Sequence, residues 1–222
     1  MKSKEEINHT DQYKYKGMRK RLVQLLAAKG NFDHKVLNAI EGVPRHYFLE
    51  SAFAEQSYED KAFPIGEGQT ISQPYTVAYQ TQLMDVKEGD KILEIGTGSG
   101  YQASILSTLG AKVYTIERVA KLSEKAHQMM KFLGYKAKFF IGDGTLGVPK
   151  FAPYDKILVT AAAPDVPEAL LLQLKIGGFL IIPVGGMDTQ QMYRVTRVAD
   201  EKFTREVFEN FRFVPLIGKE GW

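Results

Sequence analysis

Short apolar runs and longer amphipathic stretches alternate through the middle of the chain. The apolar runs cover residues 91–95, 112–116, 137–141 and 156–160, and stretches with helical periodicity at 101–109 and 120–133 separate the first three. Short apolar runs are typical of buried strands, and a period of 3.6 residues is typical of the helices that cover them. The alternation predicts an α/β fold built on a doubly wound parallel sheet with right-handed crossovers.

The segment before this core predicts a helical annex. One amphipathic helix is predicted at 17–29, closed by Gly30, and a second at 34–41. On the first helix we interpret the basic residues as the solvated face rather than as a nucleic-acid-binding arm. The apolar stripe consists of Met18, Leu22, Leu25 and Leu26, and the basic residues are Lys14, Lys16, Arg19, Lys20 and Arg21. His46 lies in an aromatic stretch, which favours packing over catalysis.

The segment after the alternation completes the sheet. A helix is predicted at 169–174 and a buried strand at 179–183, which finish the parallel core. Alternating side chains beyond that strand predict two antiparallel strands at the C-terminal end. We expect an annex with a loop over residues 1–68 and an α/β domain over residues 69–222, folding as one cooperative unit.

Three glycines follow the first predicted strand and precede a helix. They are Gly96, Gly98 and Gly100, and Glu94 stands near the carboxyl end of that strand. Glycine has no Cβ and adopts positive φ, so a ligand can lie against main-chain N–H groups at the start of the helix. Ligands of open α/β sheets bind at the carboxyl ends of the strands, so we predict a nucleotide site here.

The spacing of the glycines and the neighbouring carboxylate bear on which ligand binds. The motif G-T-G-S-G is tighter than the G-x-G-x-x-G of dinucleotide folds, and Glu94 would repel a phosphate. A carboxylate suits a cationic, amine-bearing ligand, which favours S-adenosylmethionine. A nicotinamide or flavin cofactor and an ordinary glycine turn remain alternatives at this point.

Two further carboxylates end predicted strands. Glu117 follows the second strand, at the distance from the glycines where such folds place a carboxylate on ribose hydroxyls. Asp143 follows the third strand in the sequence G-D-G-T-L-G. It would either accept a hydrogen bond from an adenine amino group or cap a turn, because D-G is also a turn dipeptide.

The stretch Q-T-I-S-Q-P at 69–74 places several hydrogen-bonding side chains together. Thr70, Ser72 and Gln73 stand just before Pro74, where a helix at 75–84 could begin. Ser72 and Gln73 could serve as helix caps, and Ser72 could equally line an active site. These two interpretations stay open from this stretch alone.

Composition narrows the class of protein. Of the 222 residues 44% are hydrophobic and 25% charged, typical of a globular enzyme, and the net charge is only +3. The absence of cysteine excludes disulfides, thiolate metal sites and a thiol nucleophile, and we expect no bound metal. No apolar run reaches membrane length, and the polar first residues lack a secretory pattern. We therefore expect a cytoplasmic protein that acts as a monomer, without a nucleic-acid or membrane partner.

Several longer stretches resemble the protein-L-isoaspartate O-methyltransferase family. The resemblance runs from about Val36 to the end and is carried by VPRHYF, YEDKAFPIGEGQTISQP, LEIGTGSGYQ, IER, GDGTLG, APYDKILVTAAAPDVP, QLKIGGFLIIPVG and FVPLIG. It implies a Rossmann-like class I methyltransferase sheet that binds S-adenosylmethionine and releases S-adenosyl-L-homocysteine. The implied activity is methylation of the free α-carboxylate of isoaspartyl residues in damaged proteins and peptides, which leads to repair through a succinimide.

The resemblance also implies roles for individual residues. The three glycines would line the methionine part of the cofactor, Glu117 would hold the ribose, and Asp143 with Gly144 would border the adenine. Ser72 corresponds to the family's active-site serine, and the peptide would pass near Val214, Pro215 and Leu216. Ser72 and Thr70 suit the role of hydrogen-bond donors, because an ionised carboxylate needs no general base. Another methyltransferase acting on RNA or a small molecule, or a non-catalytic nucleotide-binding module, remain the alternatives.

Overall fold

A seven-stranded sheet forms the centre of the computed structural model, which describes residues 13–222. Its strands lie side by side in the order 137–141, 112–117, 91–95, 154–159, 174–185, 190–199 and 202–211. The strands are β3 (Lys91–Ile95), β4 (Lys112–Glu117), β5 (Ala137–Ile141), β6 (Tyr154–Val159), β7 (Leu174–Gly185), β8 (Gln190–Ala199) and β9 (Lys202–Phe211). All pairings from β5 to β7 are parallel, and β8 and β9 add antiparallel. The predicted parallel core with a C-terminal antiparallel pair is confirmed.

Apolar side chains pack on both faces of this sheet. Neighbouring residues of β3 separate into two clusters, since Ile92 packs with one set of buried side chains and Leu93 with another. Successive side chains of a strand point to opposite faces, so a strand that is apolar throughout needs cover on both sides. The helices are α1 (Tyr13–Lys29), α2 (His34–Gly42), α3 (Pro74–Met84), α4 (Tyr101–Thr108), α5 (Ala120–Phe132) and α6 (Glu168–Leu171).

The annex helices α1 and α2 join the core cluster that contains Ile92. Leu22 and Leu26 of α1 are buried there, as predicted, but Leu25 is 42% exposed. Arg19 was expected on the solvated face and is instead only 8% exposed, with its Nη1 donating to Tyr58 Oη over 3.2 Å. The prediction for Arg19 was wrong because a periodic pattern in one helix cannot show that a distant residue, here Tyr58, provides a buried hydrogen-bond acceptor for the guanidinium.

A small antiparallel hairpin lies between the annex and α3. Its strands are β1 (Phe63–Gly66), which lies in the loop expected before residue 69, and β2 (Gln69–Ile71), which lies in the stretch Q-T-I-S-Q-P. The hairpin spans the predicted boundary between residues 68 and 69. The division of the chain between residues 68 and 69, and the expectation that both parts fold as one cooperative unit, stay predictions.

The helix predicted at 169–174 is shorter in the structure, where α6 ends at Leu171 and β7 already begins at Leu174. Gln173 explains the early end. Its amide donates to the carbonyls of Leu146 and Ala169, while its Oε1 accepts from the N–H of Val148. Those bonds fix a turn where helical periodicity alone would extend the helix.

Candidate active site

The glycine turn of residues 96–100 connects β3 to α4 at the carboxyl edge of the sheet. Gly96, Gly98 and Gly100 all have positive φ, as the motif predicts. A Cβ on Gly96 would also lie 2.6 Å from Thr160 Oγ1, and a Cβ on Gly100 would lie 3.2 Å from the Cβ of Ala126 on α5. Larger residues would therefore separate the turn from its neighbours.

The N–H groups of this turn are largely used within the protein, unlike the expectation that they face the ligand. The N–H groups of Gly96 and Thr97 donate to the Ile116 carbonyl, and that of Gly100 donates to the Thr97 carbonyl. The Gly98 N–H donates to Glu117 Oε2 over 2.9 Å. With these donors occupied, the turn suits a ligand that itself donates hydrogen bonds, such as an ammonium, better than it suits a phosphate.

Glu117 stands at the end of β4 and is 7% exposed. Its Oε2 accepts from Gly98, and its Oε1 accepts from the N–H of Val119 over 3.0 Å. Each carboxylate oxygen has two lone pairs, so one acceptor position per oxygen remains for a ligand. Glu117 therefore anchors the glycine turn and can also accept hydrogen bonds from a pair of hydroxyls.

Glu94 lies beneath the turn and is fully buried. Its Oε2 accepts from Thr115 Oγ1, whose oxygen lies 2.6 Å from Thr97 Oγ1, while Oε1 has no hydrogen-bond partner within residues 13–222. Burial, reinforced by the charge of Glu117, outweighs the Thr115 hydrogen bond and raises the pKa of Glu94 to about 8. The raised pKa works against the negative charge that the sequence predicts for Glu94. Its contacts support the turn through Thr115 and Thr97.

Asp143 follows β5 and caps a short turn, which was one of its two interpretations. Oδ1 accepts from the N–H and the hydroxyl of Thr145 over 2.9 and 2.7 Å, and Oδ2 accepts from the Lys219 N–H over 2.8 Å. Burial alone would raise the pKa of Asp143, but these hydrogen bonds outweigh it and the pKa is lowered. Asp143 therefore holds the C-terminal part of the chain against the end of β5.

That C-terminal segment, residues 213–222, runs along the carboxyl edge of the sheet. Ala162, just after β6, donates its N–H to the Val214 carbonyl over 2.8 Å, and its carbonyl accepts from the Leu216 N–H and from Trp222 Nε1. Gly218 packs so closely that a Cβ there would lie 2.1 Å from Asp143 Oδ1. The C-terminal segment is therefore packed closely against the edge of the sheet and is held there by backbone hydrogen bonds.

An inner cavity lies between the glycine turn, β2 and the C-terminal segment. It has two adjoining parts, and Gln69, Gly96, Glu117 and Ala161 line both. One part also touches Arg118, Gly144, Pro215, Leu216 and Ile217, and the other touches Thr70, Ser72, Gly98, Gln102, Thr160 and Val214. Gly144 reaches this wall, whereas neither Asp143 nor Glu94 lines either part.

An outer groove of about 450 Å³ opens beside the inner cavity. It is walled by Tyr75, Phe211 and Phe213 and carries charged residues toward solvent, namely Asp188, Glu209 and Arg212. Four residues line both spaces, namely Thr70, Ser72, Thr160 and Val214. The two residues predicted as hydrogen-bond donors, Thr70 and Ser72, therefore lie where the inner cavity meets the groove.

The structure also bears on the alternative role of Ser72 as a helix cap. Gln73 holds the N-cap position of α3, and its side chain makes no capping hydrogen bond. The N–H of Tyr75, in the first turn, instead donates to Asp60 Oδ1 over 2.8 Å. Asp60 supplies the cap from a distant loop, which leaves the Ser72 hydroxyl for the junction.

Some residues of the site gave no signal in the sequence. Gln69 and Thr160 line the cavity, and Asp60 caps α3, yet each is an ordinary polar residue beside a turn. His46 does pack as expected, with its ring 4.0 Å from that of Tyr15 and its Nδ1 2.7 Å from Tyr58 Oη. Within residues 13–222 no cluster of three or more acidic or histidine side chains could hold a metal ion.

Comparisons with known proteins point in one direction. The family model described as Protein-L-isoaspartate(D-aspartate) O-methyltransferase matches residues 17–221. The protein-L-isoaspartate O-methyltransferase of Cytophaga hutchinsonii is 57% identical over 212 residues, with 96% of each chain covered. That of Dictyoglomus thermophilum is 50% identical over 214 residues, again with 96% of each chain covered.

Two solved structures are similar over most of the chain. A protein-L-isoaspartate O-methyltransferase has a TM-score of 0.83 at 31% identity, covering 91% of this chain and 67% of the other. A second, from Plasmodium falciparum and in complex with S-adenosyl-L-homocysteine, has a TM-score of 0.79 at 26% identity, covering 90% and 98%.

Proposed function

Because the chain belongs to the protein-L-isoaspartate(D-aspartate) O-methyltransferase family, we propose which of its residues hold the methyl donor and which hold the peptide. The protein transfers a methyl group from S-adenosylmethionine to the free α-carboxylate of L-isoaspartyl residues, and S-adenosyl-L-homocysteine is the other product. Isoaspartyl-containing proteins and peptides are its substrates.

The inner cavity fits the cofactor by the chemistry of its wall. Glu117 offers one acceptor position on each oxygen, which suits the two ribose hydroxyls. The glycine turn suits the ammonium of the methionine part, because its N–H groups are occupied. For the adenine we assign Gly144 with the apolar side chains of Ile116 and Leu216. Asp143 then contributes by holding the segment that carries Leu216.

Ser72 and Thr70 would hold the substrate carboxylate as hydrogen-bond donors. When bound, S-adenosylmethionine supplies an electrophilic methyl group. A carboxylic acid with an ordinary pKa of about 4 is ionised at neutral pH, so no side chain has to remove a proton. The work left for the protein is to align the carboxylate oxygen and to keep water out of the junction. Neither hydroxyl needs a partner base, and neither acts as a nucleophile.

The observation that carries these assignments is the shared wall between the inner cavity and the outer groove. Thr70, Ser72, Thr160 and Val214 line both spaces. The junction gives a carboxylate in the groove direct access to a methyl group in the cavity. Val214 would border the peptide, while Pro215 and Leu216, which line the inner cavity only, would border the cofactor.

Two peptides of identical composition test the substrate assignment. One carries an aspartyl and the other an isoaspartyl linkage, which attaches the free carboxylate directly to Cα and moves the extra methylene into the main chain. A misplacement of about 1 Å can cost on the order of 10²-fold in rate, so we expect base-labile methyl esters on the isoaspartyl peptide and little on its twin. Equal labelling of both, or label that survives mild base, would favour the alternative of another methyltransferase.

We further infer that the enzyme works as a monomer in the cytoplasm, without a nucleic-acid or membrane partner. The small net charge of +3 supports this for nucleic acid. Among the helices of residues 13–222, none is both long enough and apolar enough to cross a lipid bilayer. Gel filtration at micromolar concentration would test whether the enzyme is a monomer. Donor turnover with added RNA would test whether it acts on nucleic acid.

A further inference from the structure

We propose that Asp60 is a positioning residue for methyl transfer, which fixes Ser72 at the junction by capping α3 from the annex side. This inference rests on the proposed function of Ser72. Asp60 touches neither the inner cavity nor the outer groove, and its side chain is only 7% exposed. Its effect would pass through the backbone.

The first step is the bond between Asp60 and the start of α3. Oδ1 accepts from the Tyr75 N–H over 2.8 Å, three residues after Ser72. Pro74 has no N–H, and Gln73 makes no side-chain cap, so the first turn of α3 depends on Asp60. A carboxylate at a helix N-terminus also interacts favourably with the helix dipole.

The second step is the way Ser72 is held from both sides. On its N-terminal side Ile71 is 3% exposed and pairs with Phe63 in the hairpin. On its C-terminal side α3 begins, where the Gln73 carbonyl accepts from the Val77 N–H over 3.0 Å, Pro74 is buried, and the Tyr75 N–H donates to Asp60. The Asp60 bond is one of the contacts that fix the start of α3, and it thereby limits where the Ser72 hydroxyl can lie.

The third step is the way the annex holds Asp60 itself. Lys29, the last residue of α1, pairs with Asp60 Oδ2 over 2.7 Å. Arg45 is fully buried and donates to the carbonyls of Ser57 and Lys61, on either side of Asp60 in the chain. Its guanidinium also lies 5.0 Å from the ring of Tyr101, the first residue of α4. One buried cation thus links the Asp60 loop to the helix that follows the glycine turn.

Asp33, which is exposed, provides a control at the other end of α3. It also joins the annex to α3, but at the far end of that helix. Its N–H donates to Gln82 Oε1 over 2.7 Å, and its Oδ2 accepts from Gln82 Nε2 over 2.9 Å. Loss of either aspartate weakens contact between the annex and α3, but only Asp60 acts near Ser72.

The experiment compares Asp60→Ala, Asp60→Asn and Asp33→Ala with the wild-type enzyme on the isoaspartyl peptide. We expect Asp60→Ala to lower kcat by about tenfold or more and to change the Kd for S-adenosylmethionine by less than about twofold. The reason is that misalignment of the substrate carboxylate raises the energy of the transition state and leaves cofactor binding intact. Asp60→Asn keeps an oxygen for the Tyr75 N–H, so it should retain kcat within about threefold. Asp33→Ala should lower the melting temperature without lowering kcat.

Amide hydrogen exchange supplies a second measurement that needs no activity. The Tyr75 amide should exchange faster in Asp60→Ala than in Asp60→Asn or Asp33→Ala. Equal losses of kcat in Asp60→Ala and Asp33→Ala would overturn the proposal and leave a general stabilising role. An unchanged kcat in Asp60→Ala would overturn it as well. If the wild-type enzyme forms no ester on the isoaspartyl peptide, the proposed function fails, and the exchange rates still report whether Asp60 caps α3.

Discussion

The carboxylate of Glu117 and the backbone N–H of Gly98 are joined by a hydrogen bond of 2.9 Å, so one side chain both shapes the glycine turn and faces the inner cavity. The sequence predicts the second role only. If Glu117 also holds the ribose, as proposed, it couples the conformation of the glycine turn to the binding of the cofactor.

Glu117→Gln should therefore weaken the binding of S-adenosylmethionine. The neutral amide loses the charge-assisted acceptors and turns one oxygen into a donor. We expect a loss of about 2 to 3 kcal/mol, or roughly 30- to 150-fold in Kd, measured by titration calorimetry. Glu124→Gln, on the exposed side of α5, serves as the control. Unchanged affinity in a folded Glu117 variant would remove Glu117 from the cofactor site.

Ser72→Ala should lower kcat more than it raises the Kd of the methyl donor. A hydrogen bond to a charged group contributes about 1.5 to 3 kcal/mol, which corresponds to roughly 10- to 150-fold in rate if it is made in the transition state. Steady-state kinetics on the isoaspartyl peptide would measure it. Ser51→Ala changes an exposed serine away from both spaces and should have wild-type kinetics. Wild-type turnover in Ser72→Ala would count against a role at the junction.

Glu94 should make the stability of the protein depend on pH. Its pKa is raised from 4.5 to about 8 by burial, so the folded state retains a proton that the unfolded state has released. The stabilisation is fully present below about pH 4.5 and is lost as the pH rises toward 8, beyond which it levels off. Urea unfolding between pH 5 and pH 9 should show this fall for the wild type and not for Glu94→Gln. Parallel curves for the two proteins would contradict the assignment.

Gly218→Ala should loosen the C-terminal wall of the inner cavity. The added Cβ would lie 2.1 Å from Asp143 Oδ1, so the segment has to move and the bond from Lys219 is strained. Because Pro215 and Leu216 line the cavity, we expect the Kd for S-adenosylmethionine to rise by about tenfold. Gly186→Ala meets no atom within 4 Å and is the control. Equal affinities for the two variants would show that the segment does not shape the cofactor site.

The sequence predicts the sheet well because burial on both faces leaves a simple apolar pattern. Ile92 and Leu93 belong to opposite clusters, and a run of apolar residues is all that such a strand requires. The hairpin was missed for the opposite reason. Phe63–Gly66 and Gln69–Ile71 are only four and three residues long and contain Pro64, so no periodicity can develop.

The positions of the candidate carboxylates could be predicted, but not their partners. Glu94, Glu117 and Asp143 all stand at strand ends, as parallel topology requires. Their environments depend on residues distant in the chain, such as Lys219 for Asp143 and Thr115 for Glu94. Long-range hydrogen bonds leave no local pattern, so the sequence alone could not separate a ligand contact from a support.

The bond between Asp143 and Lys219 joins residues 76 positions apart, and it is one of the bonds that hold the C-terminal wall of the cavity. Segments held by a few bonds at a protein surface open locally far more often than a central strand does. Without cofactor, the Lys219 amide should therefore exchange with solvent well before those of β6. A ligand that binds only when the C-terminal segment is in place lowers the population of the locally open form by mass action. The supply of methyl donor would then set how long the C-terminal segment stays protected from proteases.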